Sequence, residues 1–305
     1  MTMIEYSSTV PAKEVAGSLF DLGIDTLIIG NNDFGLRLPT DYNVLETQRL
    51  TETAHQLGKK VVVAANAILH NDKLLAYEKY LADLLTIGVD YVMVGDAGAV
   101  NLIQEKFPSQ KFIYNGEVLD TNSGMINFWG NEGASYVRIA RELPYVELEE
   151  LIPKLQVPPI MQLFGPIAIE HSARSLIYNY LDYENKSSEF NFNQVYHVNL
   201  PQKPEDIYTM FEDQNGTHMY GPEDLNLLEQ LPELVVLGIC HYTFDSKFYP
   251  SENWLSIMEI FIRARKLLES GESNFEELNT ELKEKLPADR KISTGFYHYQ
   301  LGDIK

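Results

Sequence analysis

The segment Gly88-Val-Asp-Tyr-Val-Met-Val-Gly-Asp-Ala-Gly98 contains the pattern that decides the fold. A glycine ends a stretch of helical period, a short apolar run follows it, and a second stretch of helical period begins directly afterwards. An apolar run between two amphipathic stretches is typical of a strand in a parallel sheet covered by helices. The segment therefore predicts a strand over Tyr91–Asp96 and a helix over Ala97–Phe107.

The same order of elements recurs along the chain. Helices ending in glycine punctuation at Gly23, Gly58, Gly88 and Gly133 are expected. The predicted helices include Pro11–Leu22, Val44–Leu57, Asp72–Ile87, Ala97–Phe107, Asn122–Asn131 and Trp254–Leu268, with Asp72 and Asn122 as N-caps. The predicted strands are Ile4–Ser8, Thr26–Gly30, Lys60–Ala67, Tyr91–Asp96, Phe112–Glu117, Tyr136–Arg141, Pro159–Gly165 and Leu237–Phe244. Eight strands with intervening helices predict an α/β fold, a (β/α)8 TIM-type barrel, because an open doubly wound sheet more often has about six.

The regular alternation stops between strands 7 and 8. Residues 166–231 are rich in Tyr, Asn and Asp, with short β-like runs at Gln194–Leu200 and Ile207–Phe211 and a short helix expected over Gly221–Gln230. Long excursions within a compact fold are usually functional or interfacial. We predict an irregular insertion over the catalytic rim.

The domain organisation follows from these elements. The barrel is expected over residues 1–270, with residues 166–231 as the insertion within it. Residues 271–305 are expected to form a C-terminal helical and extended tail, with a helix over Phe275–Leu286.

Charge and cysteine content exclude several classes of protein. The 305 residues include 24 Lys and Arg against 44 Asp and Glu, which gives a net charge of −20. Such a chain repels phosphate, so we expect no DNA partner and no grip on RNA without another subunit. The single cysteine, Cys240, excludes an internal disulfide framework, a cysteine-rich zinc site and a self-contained four-thiolate iron–sulfur cluster.

The sequence shows no sign of a membrane protein. The start, Met1-Thr-Met-Ile-Glu-Tyr6, lacks a basic region followed by an apolar one. The longest apolar run, Val61–Leu69, is too short to cross a bilayer. We predict a cytoplasmic protein with no membrane partner.

A barrel of this type carries its site where the strands end, because the βα loops gather there. Buried polar groups are costly unless they bind a ligand or pair with each other. Among the polar residues at the predicted strand ends, the substrate-binding candidates for the barrel mouth are Asn66, Asp96, Glu117, Arg138, Arg141, Glu142, Gln162 and Asp245.

Two arginines lie close together in this set. Arg138 and Arg141 are an odd number of positions apart, so on a continuing strand only one of them faces the mouth. An inward arginine would anchor a carboxylate or phosphate, since its fork binds such anions in bidentate fashion. The alternative is a salt bridge to Glu142 or Glu117.

Motifs for metal binding and nucleophilic catalysis are absent from the sequence. It contains no HExxH, and Glu170-His171 alone is a weak ligand pair, so no metal site is predicted. It contains no GxSxG, P-loop or GxGxxG motif. Cys240 and His241 are adjacent, and adjacent strand residues point to opposite faces, which favours a buried inert thiol. The catalytic residues are therefore left unassigned.

Ordered motifs across nearly the whole chain resemble one family, the collagenase-like peptidases of peptidase family U-32. The motifs that carry the resemblance are Gly23-Ile-Asp-Thr-Leu-Ile-Ile-Gly30, Phe34-Gly-Leu-Arg37, His55-Gln-Leu-Gly-Lys-Lys60 with Asn66, Gly88 to Gly98, Ala140-Arg-Glu-Leu143, Asn215-Gly-Thr217, Glu223 to Leu234, and Arg290-Lys-Ile-Ser-Thr-Gly-Phe296.

This chain departs from the family pattern where the family has cysteines. Those positions are filled by Ala168 and Ser175, and neither offers a thiolate, so the resemblance implies that the chain binds no iron–sulfur cluster. Two other family motifs drift to Asn115-Gly-Glu117 and Thr243-Phe-Asp245-Ser-Lys247. The chain resembles the short, cysteine-poor member of a pair in which the longer homologue retains the residues for the chemistry.

The best-fitting subgroup resembles the paired prephenate-dependent tRNA hydroxylation proteins, which convert the wobble uridine to 5-hydroxyuridine. This implies a subunit of a heteromeric tRNA-modifying complex, in which a longer homologue grips the tRNA. Prephenate, a dicarboxylate, is then a possible co-substrate for Arg138 or Arg141. The alternatives are a collagenase-like endopeptidase, which the family name suggests, and a non-catalytic scaffold subunit.

Overall fold

The computed structural model describes residues 3–300 and residue 302, and at its centre eight parallel strands close into a barrel. The strands in chain order are β1 (Glu5–Thr9), β2 (Thr26–Ile29), β3 (Lys60–Ala64), β4 (Tyr91–Val94), β5 (Phe112–Tyr114), β6 (Tyr136–Arg138), β7 (Pro159–Gly165), β8 (Ala168–Ser172), β9 (Tyr196–Leu200), β10 (Lys203–Asp213), β11 (Gly216–Tyr220), β12 (Asp224–Asn226), β13 (His241–Phe244) and β14 (Ile292–Ser293). Strands β1 to β7 pair in order, and β13 pairs in parallel with both β1 and β7. The predicted (β/α)8 barrel is confirmed.

Helices cover the outside of this barrel. They are α1 (Ala16–Leu22), α2 (Val44–Gln56), α3 (Leu74–Ile87), α4 (Ala97–Lys106), α5 (Ser123–Asn131), α6 (Tyr145–Leu151), α7 (Leu176–Tyr183), α8 (Leu231–Leu237), α9 (Ser251–Glu269) and α10 (Glu276–Glu284). Short 3-10 turns occupy Lys13–Val15, Ile152–Lys154 and Ser187–Glu189. None of the helices in the described part of the chain is both long and apolar enough to cross a membrane.

Alternation along the strands divides the core into two parts. In β3, Val61 and Val63 pack outward among the helices, while Val62 and Ala64 face the barrel interior. The interior cluster is small and aliphatic, with members such as Ile28, Met93, Ile113 and Ile160. Strands that are buried on both faces explain why the barrel runs are almost continuously apolar in the sequence.

Several barrel strands end earlier than the sequence pattern predicts. The run predicted as Tyr136–Arg141 ends at Arg138, and the run predicted as Phe112–Glu117 ends at Tyr114. The residues beyond these ends are loops at the barrel mouth. The eighth strand begins late, because Leu237 closes α8 and Gly238 takes a left-handed conformation with φ 107°.

Two local predictions are wrong. Asp72 is not an N-cap, since α3 begins at Leu74 and its N-cap residue, Lys73, makes no side-chain capping bond. The predicted helix over Gly221–Gln230 is instead β12 and turns, because Leu225 pairs with Gly165 at the end of β7. The other predicted cap, Asn122, does accept a hydrogen bond from the Met125 amide at 3.0 Å.

The insertion lies between barrel strands 7 and 8, as predicted, but its prediction as irregular is wrong. Strands β8, β11, β10 and β9 form an antiparallel sheet in that order, and α7 accompanies it. The β-like runs predicted at Gln194–Leu200 and Ile207–Phe211 correspond to β9 and part of β10. β9 with β10 and β10 with β11 are neighbouring strands in sequence, whereas β8 pairs with β11 across about 45 residues, so a pattern based on neighbouring residues does not find the strand β8.

The tail returns to the barrel. The helix predicted over Phe275–Leu286 is present as α10, which joins α9 through an ion pair between Arg263 and Glu281 at 2.8 Å. Strand β14 then pairs in parallel with β12. The tail therefore supports β12, which pairs antiparallel with the end of β7.

Candidate ligand-binding site in the barrel mouth

The carboxyl ends of the barrel strands enclose a polar cavity, here called the inner pocket, of about 50 Å³. Its polar lining comprises Thr9, Arg37, Asn66, Asn115, Glu117, Arg138, Arg141, Thr243 and Asp245. A larger outer pocket of about 340 Å³ shares Arg37, Asn66, Asn115, Glu117 and Arg141 with it. The wall of the outer pocket also carries the exposed apolar residues Ile68, Val118, Leu119 and Ile169. A small-molecule site needs about 300–1,000 Å³, so the outer pocket has the size for one.

The structure brings together six of the eight predicted site residues. Asn66, Glu117, Arg138, Arg141 and Asp245 line the inner pocket, and Gln162 accepts a hydrogen bond from Arg138. These placements follow from the topology, because all barrel strands end at the same rim.

The remaining two predicted residues do not line either pocket. The Asp96 carboxylate caps α4 and accepts hydrogen bonds from the amides of Gly98 at 2.7 Å and Ala99 at 3.2 Å. Glu142 is exposed on the loop that follows β6. Asp96 is kept out of the pockets because its carboxylate caps α4, and Glu142 is kept out because its loop directs the side chain to the surface.

Arg138 and Arg141 both reach the mouth, because β6 ends at Arg138 and alternation no longer applies beyond it. The Arg138 Nη2 donates to Gln162 Oε1 at 2.8 Å. Arg141 donates to Glu117 Oε2 at 3.1 Å and to the Ala168 carbonyl at 3.2 Å. The alternative of a salt bridge to Glu117 is thus correct for Arg141, whereas Arg138 forms no such salt bridge.

Arg37 is a site residue that the sequence reasoning did not assign. Its side chain is 9% exposed, and its Nη2 lies 2.7 Å from Glu117 Oε1. The loop after β2 carries it inward, and Asn66 Oδ1 accepts a hydrogen bond from the neighbouring Leu36 amide at 3.1 Å. The available signal was its place in Phe34-Gly-Leu-Arg37, a polar residue shortly after a barrel strand.

Glu117 is held by two guanidinium groups. Besides Arg37 and Arg141, the Asn115 Nδ2 donates to its Oε1 at 3.2 Å. Burial alone would raise the pKa of this carboxyl, but Arg37 and then Arg141 hold it down at about 2. Glu117 is therefore ionised throughout the neutral range.

The three arginines differ in their electrostatic situation. Burial would lower the pKa of Arg37, and the Glu117 carboxylate reverses this, so that its pKa is raised. Burial followed by repulsion from Arg141 lowers the pKa of Arg138 to about 10. Within the described residues, Arg138 forms no ion pair with a carboxylate within 4.0 Å.

Asp245 and Lys247 complete the charged set. Burial raises the pKa of Asp245, and burial lowers the pKa of Lys247. The Lys247 Nζ donates to the Leu38 carbonyl at 2.8 Å and lies 4.4 Å from the centre of the Phe211 ring. Lys247 lines neither pocket itself, and its bond to Leu38 supports the wall of the inner pocket from behind.

Gly165 sets the position of Asp245. It ends β7 with φ 113°, and a Cβ atom there would overlap the carbonyl oxygen of Asp245. A side chain at this position would therefore push β7 and the loop after β13 apart. The close approach explains why the position requires glycine.

The insertion forms a roof over this mouth. The Asn215 Nδ2 donates to the Asn32 carbonyl at 2.7 Å, which joins the β10–β11 turn to the loop after β2. Inside the roof, Asp213 Oδ1 lies 2.9 Å from His218 Nε2. The His218 ring is stacked on His171, with 4.7 Å between the ring centres. His171 in turn lines the outer pocket.

The mouth is cationic in a strongly acidic protein. In the inner pocket, Arg37, Arg138 and Arg141 face Glu117 and Asp245, whereas the whole chain carries a net charge of −20. Among residues 3–300 and 302, no group of three or more His, Cys, Asp or Glu side chains is placed to hold a metal ion. Guanidinium groups in a recess are suited to bind a carboxylate or another oxyanion.

Ala168 and Ser175, at which the resemblance described above implies cysteines in related chains, lie in or next to the roof. Ala168 begins β8, and its carbonyl accepts the bond from Arg141. Ser175 precedes α7. Cys240 stands just before β13, at the opposite end of the barrel from the mouth, and contacts the Gly238 carbonyl at 3.7 Å.

Comparison with known proteins adds a family and several relatives. The sequence model of peptidase family U32 matches residues 13–305. The chain is 32% identical over 285 residues to tRNA hydroxylation protein P2 of Bacillus subtilis, covering 92% of each chain. It is 21% identical to tRNA hydroxylation protein P1 of the same organism, covering 90% of this chain and 66% of that one. A solved U32 peptidase superposes with a TM-score of 0.53 at 11% identity, covering 82% of this chain and 95% of the other, which supports the fold.

Proposed function

This chain belongs to peptidase family U32, and we propose that it is a subunit of a tRNA hydroxylation system that makes 5-hydroxyuridine at the wobble position. The observation that carries the proposal is the cationic barrel mouth, in which Arg138 is half-buried and joined to an amide rather than a carboxylate. The likeness to tRNA hydroxylation protein P2 along 92% of both chains supports the choice of reaction.

The ligand of the mouth in this proposal is a small carboxylate, and prephenate is the specific co-substrate. A carboxylate on Arg138 would receive two parallel hydrogen bonds and offset the repulsion from Arg141. The larger outer pocket would hold the rest of the molecule against apolar residues such as Ile68 and Leu119. The chain itself would bind no iron–sulfur cluster, since Ala168 and Ser175 supply no thiolate.

A longer homologue would complete the system and hold the tRNA. The net charge of −20 opposes direct contact between this chain and a polyanion. Bacillus subtilis has two relatives of this chain, named tRNA hydroxylation proteins P1 and P2, which supports a partner from the same family.

The test is deletion of the gene in its host, with 5-hydroxyuridine and its derivatives measured in purified tRNA by mass spectrometry. We expect the modification to be lost and to return with the wild-type gene. An Arg138→Met gene should fail to restore it, although the protein accumulates and co-purifies with its partner. Arg263→Met is the matched control, because Arg263 pairs with Glu281 on the exposed outer surface, and this gene should restore the modification fully.

Three other outcomes would contradict the proposal. Unchanged 5-hydroxyuridine after deletion, with no redundant route, would remove the assigned pathway. Cleavage of collagen-like peptides by the purified protein, abolished by Arg138→Met, would instead favour the endopeptidase. Full restoration by Arg138→Met would favour a scaffold subunit whose barrel mouth has no role in the reaction.

A further inference from the structure

Glu117 takes the place on two arginines that a ligand's carboxylate would take. Its Oε1 lies 2.7 Å from Arg37, and its Oε2 accepts from Arg141 at 3.1 Å. Each carboxylate oxygen thus contacts a different guanidinium group. Both arginines are nearly enclosed, with side chains 9% and 8% exposed, so few other anions can reach them while Glu117 is there.

The loop that carries Glu117 is turned inward by local contacts. Glu117 has a left-handed backbone with φ 61°, which is uncommon for a residue other than glycine. The Gly116 amide donates to the buried Asp120 carboxylate at 2.8 Å, and this bond holds the loop at its other end. Arg37, across the ion pair, is left-handed as well, with φ 59°. Backbone conformations of this kind persist where surrounding contacts enforce them, and they concentrate at ligand-binding and switch regions.

The Glu117 side chain also has space to move away from Arg37 and Arg141. Its side chain is 25% exposed, whereas those of its two partners are nearly enclosed. It lines the outer pocket as well as the inner one, next to the exposed residues Val118 and Leu119. The carboxylate can therefore rotate toward the outer pocket and keep contact with water.

The sizes of the two pockets determine how a ligand would meet this residue. The inner pocket, at about 50 Å³, has room for a carboxylate but not for a whole organic acid. A ligand with its body in the outer pocket can place one acid group toward Arg138. A second acid group on the same ligand would then approach Arg37 and Arg141, which Glu117 holds.

We propose that Glu117 is a specificity-determining residue that competes with a dicarboxylate ligand for Arg37 and Arg141. One ligand carboxylate binds Arg138, and the other displaces the Glu117 carboxylate, which moves toward the outer pocket. The inference rests on the anionic ligand of the proposed function and is independent of any RNA chemistry. A ligand with one carboxylate forms an ion pair only with Arg138 and does not displace Glu117.

A purely structural role for Glu117 makes the opposite prediction. If the carboxylate served only to hold Arg37 and Arg141 in position, its neutralisation would misplace both arginines and weaken the binding of every anion at this site. If it competes, neutralisation releases two guanidinium groups for the ligand. The sign of the change in affinity therefore separates the two roles.

The experiment measures binding of prephenate, and of benzoate as the monocarboxylate, to the purified full chain by calorimetry. Glu117→Gln keeps the shape of the side chain and removes its charge. We expect Glu117→Gln to bind prephenate about tenfold tighter than wild type, which corresponds to about 1.4 kcal/mol, and to change benzoate affinity by less than about threefold. Glu142→Gln is the matched control, because it removes the same charge from an exposed residue outside both pockets. It should leave both affinities within about twofold.

Unchanged or weaker prephenate binding by Glu117→Gln overturns the inference, as does equal tightening for prephenate and benzoate. If the variant is less stable, the shift in melting temperature on adding prephenate serves instead, and it must exceed that of wild type. The tRNA assay on the deletion strain decides the proposed function separately, since its result depends on the modified nucleoside and not on the affinity of Glu117→Gln.

Discussion

At the scale of one residue, Arg138 is a cation whose position in the mouth lowers the stability of the folded chain. Its guanidinium is half-buried, is repelled by the charge of Arg141, and is hydrogen bonded to the neutral amide of Gln162. The pKa of about 10 in the folded chain lies below the ordinary value of 12.5, so the charged form is disfavoured by folding. The free-energy cost of burying this charge is fully present below about pH 10 and declines only above it.

We expect Arg138→Met to be more stable than wild type, with the free energy of unfolding raised by about 1–2 kcal/mol at pH 7. The uncompensated charge disappears, and loss of the bond to Gln162 offsets part of the gain. Urea denaturation measures this quantity, with Arg263→Met as the control, for which a change of less than about 0.5 kcal/mol is expected. A large loss of stability in Arg138→Met would show that the charge is structurally required rather than kept for a ligand.

At the scale of elements, an ion pair joins the tail to β12 beneath the roof. Arg290 Nε donates to Asp224 Oδ2 at 2.9 Å, and its Nη2 contacts Asp224 Oδ1. The Tyr249 hydroxyl donates to the same carboxylate at 2.6 Å. Asp224 is fully buried, so the tail, β12 and the loop after β13 depend on one enclosed charge. Since β12 also pairs with Gly165, this contact supports the side of the mouth that holds Asp245.

Arg290→Ala is expected to lower the free energy of unfolding by about 3 kcal/mol, because it leaves the Asp224 carboxylate buried without a cation. The comparison is Arg263→Ala, which breaks an exposed pair between α9 and α10 and should cost no more than about 1 kcal/mol. Thermal and urea denaturation of both variants would provide the numbers. If the two variants lost the same free energy of unfolding, burial of the Asp224 ion pair would not be the cause of the larger loss expected for Arg290→Ala.

At the scale of the whole molecule, charge is distributed unevenly. The chain has 20 more acidic than basic residues, yet three arginines line the inner pocket against two carboxylates. A polyanion approaching the surface meets repulsion, while a small anion that reaches the recess meets guanidinium groups. This arrangement suits a subunit that takes a small acid while a partner takes the nucleic acid.

The isolated chain should therefore show no salt-dependent binding of tRNA, whereas a complex with the longer homologue proposed above should bind tRNA. For the complex we expect affinity to fall by about 10³-fold or more between 50 and 200 mM salt if six or more phosphates are contacted. Fluorescence anisotropy with labelled tRNA at both salt concentrations measures the difference. Tight tRNA binding by this chain alone, with a steep salt dependence, would contradict the assignment of the RNA to the partner.

The sequence by itself determined the barrel and the rim on which the site stands. Buried parallel strands and glycine-ended helices leave patterns over neighbouring residues, as in Gly88 to Gly98, and eight of them close into a barrel. The topology then brings polar residues at the strand ends to one rim, so the strand pattern alone predicts that Glu117, Arg138 and Asp245 lie at the mouth.

Only the tertiary structure decided which of these side chains meet. Arg37 enters on a long loop, and Arg141 joins Arg138 because β6 ends at Arg138. Asp96 does not reach the pockets, because its carboxylate caps the N-terminus of α4. The roof is held by pairings such as His171 with His218, which are distant in sequence. Strand periodicity is local, whereas loop paths, strand ends and long-range antiparallel pairs depend on contacts that no single stretch of sequence contains.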